Sequence, residues 1–524
     1  MEAIAYLDFL PDEVWLACWM QCSRRQLRRL SLVCQRFRSL VLPLLMKHHT
    51  FDAMAVVMWL TQDNWMERVR HLHRTAVRLD RLSEVPFASL VRSWKVVFWT
   101  GDTTRIFYTN VEVIRLLNLM NDRLVVTLSN TLTVYHNLSS LHLTNAIVDT
   151  ILRESLASLP MLEDLHLLQC NVIASRGFLG LKSLTITGIN DQESLQIASP
   201  QSLRTLSAGD HLPCLMRGFG SEKLHQLVDL SIATFGPLDV DEVVSNFGQF
   251  RHLESLTVYS LQHNDIHSPA PPHVMPLLST LTGPPALHHW LAPGRPLSSA
   301  QVLHSTTTRW REDALMPLCL AIACSSVPVL SITLLPPISV ELETLVAMIS
   351  LFPDLKELSF VVWGTSYVVR GRLSNTDQCT QSGLPQVVPV DRRGPDLNDE
   401  AAFDELPVDD ISDVEADEIC TVIVTKPVPK MDGWMPINDS LCLHNTFRWI
   451  MDGMLVLPPS IETLRVENNG DCLLLSPTEQ HEAIAVLCGL YPLLREVQFG
   501  RSHNWKWNGE FWKSVEEKSR VRIV

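Results

Sequence analysis

Catalytic motifs are lacking in this chain of 524 residues. It contains no glycine-rich dinucleotide fingerprint, no P-loop and no Gly-x-Ser-x-Gly nucleophile motif. The pair His481-Glu482 lacks the second histidine of a zinc-protease helix, and none of the 12 cysteines forms a Cys-x-x-Cys pair. These absences predict a chain that is not an enzyme and that holds no metal and no cofactor.

Positive charge is also scarce. The 43 Lys and Arg residues face 57 Asp and Glu residues, which gives a net charge of −14 and a pI of about 5.7. Proteins that bind nucleic acid or anionic membranes are more often basic, so neither partner is expected. The scattered cysteines argue against a disulfide scaffold and indicate a reducing compartment, the cytoplasm or the nucleus. A hydrophobic content of 46% excludes a wholly disordered chain.

One charge-free run is long enough to be weighed as a membrane span. Residues 314–340 contain no Asp, Glu, Lys or Arg, but they include four prolines. Lipid cannot satisfy the backbone groups that these prolines would free, so we expect a buried helix followed by a buried strand. The first residues of the chain carry acids where a secretory signal needs positive charge, and no signal peptide is expected.

Two helices are predicted in the first fifty residues. A helix start is indicated at residues 10–14, LPDEV, because proline is tolerated at the first helical position and acids favour the positive end of the helix dipole. Ser23 and Gln26 form a capping box before a second helix. Pro43 is expected to break that helix near its end. The apolar stripe of the second helix has helical spacing and consists of Leu27, Leu30, Val33, Cys34, Phe37 and Leu40.

Two short helices form a poor independent core. Such a unit either caps the domain that follows it or docks on a partner, and the periodicity leaves both alternatives open. The segment, about residues 5–48, resembles an F-box. The resemblance is carried by the LPxE start at residues 10–13, by the run from Leu30 to Cys34, by the aromatic Phe37 and by the closing Leu-Pro-Leu at residues 42–44.

The resemblance implies a docking module. F-boxes bind the Skp-type adaptor of cullin–RING ubiquitin ligases through this helical unit, so the implied partners are the adaptor and the cullin. Burying several large apolar side chains on the adaptor would contribute about 8–15 kcal/mol before the cost of association. The implied contact residues are Leu10, Pro11, Val14, Leu27, Leu30, Val33, Cys34 and Phe37.

A repeated pattern, L-x-x-L-x-L, dominates the chain after residue 130. The first five start-to-start steps lie between 19 and 26 residues, close to the leucine-rich-repeat period of about 20–29. A later step of 74 residues predicts two degenerate repeats near Leu278 and Leu303. Full matches begin at Leu138, Leu162, Leu181, Leu227, Leu253, Val327, Leu355, Ile461 and Leu494, with a partial match at Leu203.

Strand and helix patterns alternate along these repeats, as at 149–159 and 239–247. The predicted fold class is therefore α/β: an N-terminal helical F-box followed by an irregular leucine-rich-repeat solenoid, with a parallel sheet and helices outside. This architecture resembles that of F-box proteins with leucine-rich repeats. The predicted domains are 5–48, the F-box; 51–130, a connecting segment or degenerate first repeats; 131–363, the solenoid; and 446–524, the final repeats and a C-terminal cap.

Between residues 51 and 130 the signals are weaker. Segments starting at Val69 and Leu79 are candidates for repeat fragments, residues 94–99 predict a buried strand, and residues 111–119 predict a helix. An acidic insertion is predicted at 364–445, because its centre, 391–418, holds 12 acids against two arginines. Such segments are usually disordered, and they also serve as tails for basic partners.

A protein target would bind the outward residues of the repeat strands, which alternate with the inward leucines and point to the concave face of a solenoid. The alternative for each of them is a plain solvated side chain. The candidate target-binding residues are His142, Asp164, His166, Asp229, Thr257, Tyr259, Glu357, Arg465 and Glu467.

We interpret the chain as the substrate-recognition subunit of a Skp–cullin–F-box ubiquitin ligase. The first alternative is a leucine-rich-repeat scaffold with no ligase role, whose helical unit is a cap. The second is a nucleic-acid-associated factor that uses the tryptophan-rich residues 505–512, although those rings are more simply explained as a cap over the last repeat. Exposure of Pro11 and Phe37 to solvent would favour docking.

Overall fold

The computed structural model is a mixed α/β structure built on one long sheet of 16 strands. Twelve α-helices are present in the part of the chain that is described. The described residues are 10–52, 65–84, 86–98, 111–173, 177–188, 194–209, 212–220, 224–235, 250–261, 269–303, 314–334, 340–363, 443–469, 475–500 and 503–514.

Strands follow the predicted repeat pattern, and each full match of the template contains one. A separate two-stranded sheet consists of β4 (Ile147–Val148) and β6 (Asn171–Val172). The long sheet consists of β1 (His48–Asp52), β2 (Ser93–Val97), β3 (Ser140–Thr144), β5 (Asp164–Leu168), β7 (Ser183–Ile186), β8 (Thr205–Ser207), β9 (Asp229–Phe235), β10 (Ser255–Leu261), β11 (Thr280–Gly283), β12 (Ser299–Val302), β13 (Ser331–Leu334), β14 (Glu357–Trp363), β15 (Thr463–Asn469), β16 (Glu496–Phe499), β17 (His503–Trp507) and β18 (Trp512–Ser514).

Three of the described α-helices precede β1, and the other nine lie between strands in the chain. In chain order the described helices are α1 (Asp12–Trp19), α2 (Arg24–Ser31), α3 (Gln35–Met46), α4 (Trp65–Leu82), α5 (Val111–Leu132), α6 (Thr150–Ala157), α7 (Leu212–Phe219), α8 (Pro285–Leu291), α9 (Leu315–Ala323), α10 (Leu342–Ser350), α11 (Leu443–Met451) and α12 (Pro477–Leu490). The charge-free run 314–340 supplies α9 and β13, as predicted. None of the described helices combines the length and the apolar character that crossing a bilayer requires.

The strands pair in chain order, and every neighbouring pair from β1 to β16 is parallel. In most strands the register places the second leucine of the template beside the second leucine of the next strand. This row of side chains is at most 2% exposed. It runs through Leu141, Leu165, Leu184, Leu206, Leu230, Leu256, Leu281, Ala300, Ile332, Leu358, Leu464 and Val497. In β13 the aligned residue is Ile332, the third position of the match predicted at Val327. Val327 and Leu330 are 38% and 37% exposed, so that match lies two residues before the buried pattern.

The helices cover the leucine side of the sheet. Leu124 of α5, Leu152 of α6 and Leu318 of α9 are fully buried in the same core as the strand leucines. Asp149 caps α6, because its Oδ1 accepts a hydrogen bond from the Leu152 amide at 2.9 Å. The prediction of an α/β fold with a long parallel sheet is therefore confirmed for the described residues.

The two degenerate repeats expected within the 74-residue step are present as β11 and β12, and the partial match at Leu203 leads into β8. The helix expected at 239–247 lies outside the described residues. So does most of the predicted insertion 364–445, including its acidic centre. The helix α11 begins at Leu443, three residues before the predicted start of the final repeats at 446. Strands β14 and β15 pair directly and in parallel.

The segment before residue 130 departs most from expectation. The candidate repeat fragments at Val69 and Leu79 both fall on α4, where Leu79 is 2% exposed, so they are helical and not strands. The helix expected at 111–119 extends to Leu132. The buried strand expected at 94–99 is confirmed as β2, but β1 was not predicted, because its sequence HHTFD lacks the leucine template.

The N-terminal unit contains three helices, where two were predicted. The apolar stripe is divided by a link at residues 32–34, so α2 ends at Ser31 and α3 begins at Gln35. The predicted capping box at Ser23 and Gln26 is present. Pro43 lies inside α3 and does not end it, so the expected break is wrong.

These three helices have a core of their own. Trp19, Leu27, Phe37 and Val41 are buried together, apart from the core of the sheet. The ring centroids of Trp19 and Phe37 are 4.7 Å apart in an edge-to-face arrangement. Large aromatic side chains thus compensate for the small size of the unit.

The C-terminal residues form an antiparallel extension, β17 and β18, beside β16. Trp505 and Trp512 are 6% and 7% exposed, and they belong to the core of the sheet. The Trp505 Nε1–H group donates a hydrogen bond to Gln480 Oε1 at 3.0 Å. These two rings are buried beside β16, while Trp507 between them is half-buried.

A buried arginine joins two adjacent repeats. Arg295 is 0% exposed, and its guanidinium donates to the carbonyl oxygens of Val274 at 2.9 Å, Leu291 at 2.7 Å and Pro271 at 3.0 Å. Burial lowers the pKa of Arg295 to about 10, so the side chain remains protonated at neutral pH. The charge is stabilised by the dipoles of these backbone carbonyls.

We predict that Arg295→Met lowers the free energy of unfolding by about 3 kcal/mol or more, because several buried carbonyls lose their donor. The measurement is urea denaturation at neutral pH. The matched control is Arg251→Met, at an exposed arginine of the preceding repeats, where a change within about 0.5 kcal/mol is expected. Equal effects of the two substitutions would show that the carbonyl network does not hold these repeats together.

Candidate functional site

Two surfaces are candidates for interaction. The first is on the N-terminal helical unit, where several apolar side chains face solvent. Leu10 and Val14 are each 41% exposed, and Val33 is 60% exposed. We name Leu10, Pro11, Val14, Leu32 and Val33 the N-terminal apolar patch. Clustered apolar residues on an otherwise well-packed unit mark a surface that is buried in a complex.

An ion pair connects the start of α1 with the start of α3. The Arg36 guanidinium lies 2.7 Å from Asp12 Oδ1 and donates a second hydrogen bond to the Leu10 carbonyl oxygen at 3.2 Å. This contact brings the LPxE start of α1 beside the link that carries Val33. The sequence analysis missed Arg36, because the 24 residues that separate it from Asp12 give no local signal.

The eight residues predicted to contact an adaptor divide into two groups. Leu10, Pro11, Val14 and Val33 are exposed. The other four contribute to the three-helix core, either fully (Leu27 and Phe37) or in part (Leu30 and Cys34). The Cys34 Sγ also accepts a hydrogen bond from the Phe37 amide at 3.4 Å and caps α3. The burial of Phe37 is within the helical unit and not against the sheet.

The second surface is the face of the sheet opposite the leucines, which we name the polar face. Two rows of polar side chains run across its strands at equal register. The first row includes Ser140, Asp164, Ser183, Thr205, Asp229, Ser255, Thr280, Ser299, Ser331 and Glu357. The second includes Lys95, His142, His166, Thr185, Ser207, Ser231, Thr257, Thr282, Gln301, Thr333, Ser359 and Arg465.

These rows contain seven of the nine predicted target-binding residues. The other two, Tyr259 and Glu467, lie further along their strands, and Tyr259 is 58% exposed. Between β7 and β13 the rows consist of hydroxyl and amide side chains apart from Asp229. Charged side chains are concentrated on the strands at either end. The polar face therefore has a neutral middle between two charged ends.

At one end, Glu496 is the centre of a charged network. Its carboxylate lies 3.2 Å from Arg465 Nη2 and 3.2 Å from Lys506 Nζ, and it accepts a hydrogen bond from Asn504 at 3.2 Å. Burial opposes the charge of this carboxylate, but the Lys506 hydrogen bond and the Arg465 charge outweigh it, so the pKa of Glu496 is lowered. Arg465 is thus already paired, and its role includes holding β15 to β16.

At the other end, two histidines stack on each other. His142 and His166 occupy directly paired positions of β3 and β5, and their ring centroids are 3.8 Å apart with an angle of 6° between the planes. Burial lowers the pKa of both imidazoles, and for His142 the neighbouring His166 and Lys95 lower it further. Both rings are therefore neutral at pH 7.

The described residues include no group of three or more His, Cys, Asp or Glu side chains that could hold a metal ion. Cys22 donates to the Cys18 carbonyl within the helical unit. Burial raises the pKa of the Cys170 thiol to about 11, which leaves it protonated at neutral pH. His288 is fully buried beside the Gln301 carbonyl oxygen at 3.2 Å. Packing within the fold accounts for the positions of Cys22, Cys170 and His288.

Comparison with known proteins gives no match to any family model, and no curated protein is significantly similar to the chain.

We predict that Glu496→Gln lowers the free energy of unfolding at pH 7 by about 1–2 kcal/mol. Because the pKa of Glu496 is lowered in the folded protein, the carboxylate stabilises the fold fully at pH values above its unfolded-state pKa of about 4.3. This contribution is lost as the pH falls through the folded-state pKa. Urea denaturation at pH 7 and at about pH 3.5 measures the effect, which should be smaller at the lower pH.

The matched control is Glu357→Gln, because Glu357 is an exposed acid on the same face whose described hydrogen bond comes from the Ser331 hydroxyl. It should change the stability by less than about 0.5 kcal/mol at either pH. A loss for Glu496→Gln that is the same at both pH values would contradict the ionic origin of the effect.

Proposed function

We propose that this chain is the substrate-recognition subunit of a Skp–cullin–F-box type ubiquitin ligase. The N-terminal helical unit is an F-box that docks the Skp-type adaptor, and the sheet is the leucine-rich-repeat solenoid that presents a protein target. The observation that carries the proposal is a three-helix unit with its own core, on whose surface the LPxE start and Val33 are exposed.

The separate core supports docking more than capping. A cap would be expected to direct its apolar stripe at the core that it covers. Here Phe37 is buried against Trp15 and Trp19, and Pro11 faces solvent. The unit is therefore folded with its own side chains while part of its apolar surface remains open to a partner.

The charge of the unit also favours a protein partner of acidic character. Residues 10–47 contain seven Lys and Arg residues against two acids, although the whole chain carries −14. Arg25, Arg29 and Arg38 are exposed. An acidic adaptor surface would be steered toward these side chains, and the association rate would fall with added salt.

The polar face supports the second half of the proposal. Helices pack on the leucine side of the sheet, while the half-buried side chains of the polar face are open along the described strands. The chain contributes no catalytic residue, metal or cofactor in this proposal, because ubiquitin transfer takes place elsewhere in the ligase. A cytoplasmic or nuclear location belongs to the same proposal.

One observation favours the alternative, a repeat scaffold whose helical unit is a structural cap. The Lys47 carbonyl oxygen, directly after α3, accepts hydrogen bonds from the amides of Arg92 and Ser93 at 3.0 Å each. The last turn of α3 is thereby tied to the first two strands, as a cap would be. The two functions differ in whether the apolar patch is needed by a partner.

We predict that the intact protein co-purifies with a Skp-type adaptor and that Leu10→Ser/Val14→Ser/Val33→Ser weakens this binding by at least about 100-fold, because three apolar contacts are lost. These positions are chosen because they are exposed, whereas a change of Phe37 would disrupt the helical core. The measurement is the dissociation constant for the purified adaptor by isothermal titration calorimetry.

The matched control is Ile147→Ser/Ile151→Ser/Ile173→Ser, at three isoleucines of the repeats that are 53–61% exposed. It should bind the adaptor as the unmodified protein does. Circular dichroism of both triple variants checks that the fold is retained. If the intact protein fails to bind the adaptor, the scaffold alternative replaces the ligase proposal.

We predict that Arg36 and Asp12 act together in docking. Asp12→Arg and Arg36→Asp should each weaken adaptor binding about fivefold, because the start of α1 moves away from Val33, and the double exchange should restore most of the loss. The same calorimetric titration measures all three variants. Losses that simply add in the double variant would show that the ion pair does not position the patch.

A further inference from the structure

Three basic side chains lie side by side on the polar face. Lys95 of β2 pairs in register with His142 of β3, and His142 pairs with His166 of β5. Thr50 and Thr185 continue the row on either side. Neighbouring strands are about 4.8 Å apart, so the three basic groups span about 10 Å. No acid occupies this row between β1 and β7.

The three side chains have unused hydrogen-bonding capacity. Lys95 is exposed and the two imidazoles are half-buried. None of the three makes a hydrogen bond or ion pair with another described residue, although the polar groups around them on the sheet could have supplied partners. The stack of His142 on His166 holds both rings in one orientation. The register places the Lys95 ammonium and both imidazoles side by side, within reach of one bound group.

The electrostatic surroundings of the pair are simple. Lys95 is the cation beside it on β2, and Asp164 is the acid on β5, two residues before His166. Beyond β5, Lys182 and Glu163 are paired with each other by an ion pair and do not add net charge. Asp52 lies at the far edge, on β1. The row itself thus carries one fixed positive charge, on Lys95, and two imidazoles that can become charged, and the acids Asp164 and Asp52 lie outside it.

We propose that Lys95, His142 and His166 form a binding site for a carboxylate side chain of an acidic segment in the target protein. The proposal rests on the function proposed above in taking the polar face as the surface that meets the target. A carboxylate can accept a charge-assisted hydrogen bond from Lys95 and a second one from an imidazole. A singly charged carboxylate fits better than a doubly charged phosphate, because the Asp164 carboxylate is adjacent and repels the larger charge more strongly.

Binding of the carboxylate should be linked to protonation of an imidazole of the histidine pair. A carboxylate held against the stacked rings favours the charged form of an imidazole and raises its pKa in the complex. The complex therefore takes up a proton that the free protein lacks at pH 7–8. Affinity must then increase as the pH falls from 8 to 6, and this linkage distinguishes histidine-mediated capture from attraction by lysine or arginine alone.

The test uses the full-length protein and a fluorescein-labelled hexaglutamate peptide, with binding followed by fluorescence anisotropy. We expect binding at least fivefold tighter at pH 6 than at pH 8. Lys95→Gln/His166→Gln should weaken binding at pH 6 at least tenfold and remove the pH dependence. The control Thr282→Ala, in the same row but in the neutral middle, should bind the peptide as the unmodified protein does.

Further titrations separate binding at Lys95, His142 and His166 from binding elsewhere on the protein. The exposed arginines of α2 are a second cationic surface, so Arg25→Gln/Arg29→Gln is titrated with the same peptide. Loss of binding in this variant, with retention in Lys95→Gln/His166→Gln, would overturn the proposal. Tighter binding of a hexaphosphoserine peptide, or dependence of binding on added Zn²⁺, would overturn it as well. Adaptor binding by Lys95→Gln/His166→Gln, measured in parallel, should be unchanged, so that failure of this site and failure of the docking proposal give different results.

Discussion

The register of the leucine row is the constraint on which the rest of the structure depends. Each strand is too short to be stable by itself, but pairing at equal register lines up one fully buried apolar side chain per strand. Burial of each such side chain stabilises the fold by about 1.5–3 kcal/mol. A shift of one residue in the register of a strand would move all its apolar side chains to the solvent side of the sheet. The same register also creates the rows of the polar face, because residues between buried positions must point the other way. The stacked His142 and His166 are a direct consequence of it.

The two ends of the sheet are constrained differently, since an unpaired strand edge can pair with another chain and promote aggregation. At the C-terminal end, β17 and β18 turn the chain back antiparallel, and their buried tryptophans complete the core. At the N-terminal end, α3 runs into β1 and is tied to β2 through the Lys47 carbonyl. The helical unit is thus attached to the sheet while its own core holds it together.

Much of the fold could be predicted from the sequence, since the L-x-x-L-x-L template is local and its period identifies a strand wherever it occurs. Degenerate repeats such as those of β11 and β12 could be located by spacing alone. The template does not identify strands whose packing uses other residues, such as β1, which contains Phe51 and no leucine. It also selects Leu79, which belongs to a helix. The division of the N-terminal stripe into α2 and α3 was also missed, because Leu32 and Val33 continue the apolar pattern although the link exposes both. Periodicity records which residues are apolar, and it does not record which of them remain in solvent.

The sequence by itself determined the class of fold, the faces of the repeat strands and the candidate residues on each surface, because these follow from periods of two and about 3.6 residues along one chain. The tertiary structure alone decided how those residues combine. It separated Leu27 and Phe37, which fill a core, from Leu10 and Val33, which face solvent. It joined Asp12 to Arg36 and placed Lys95 beside the histidine pair. Contacts between residues far apart in the chain depend on packing and strand order, and no local pattern encodes the distance between two such side chains.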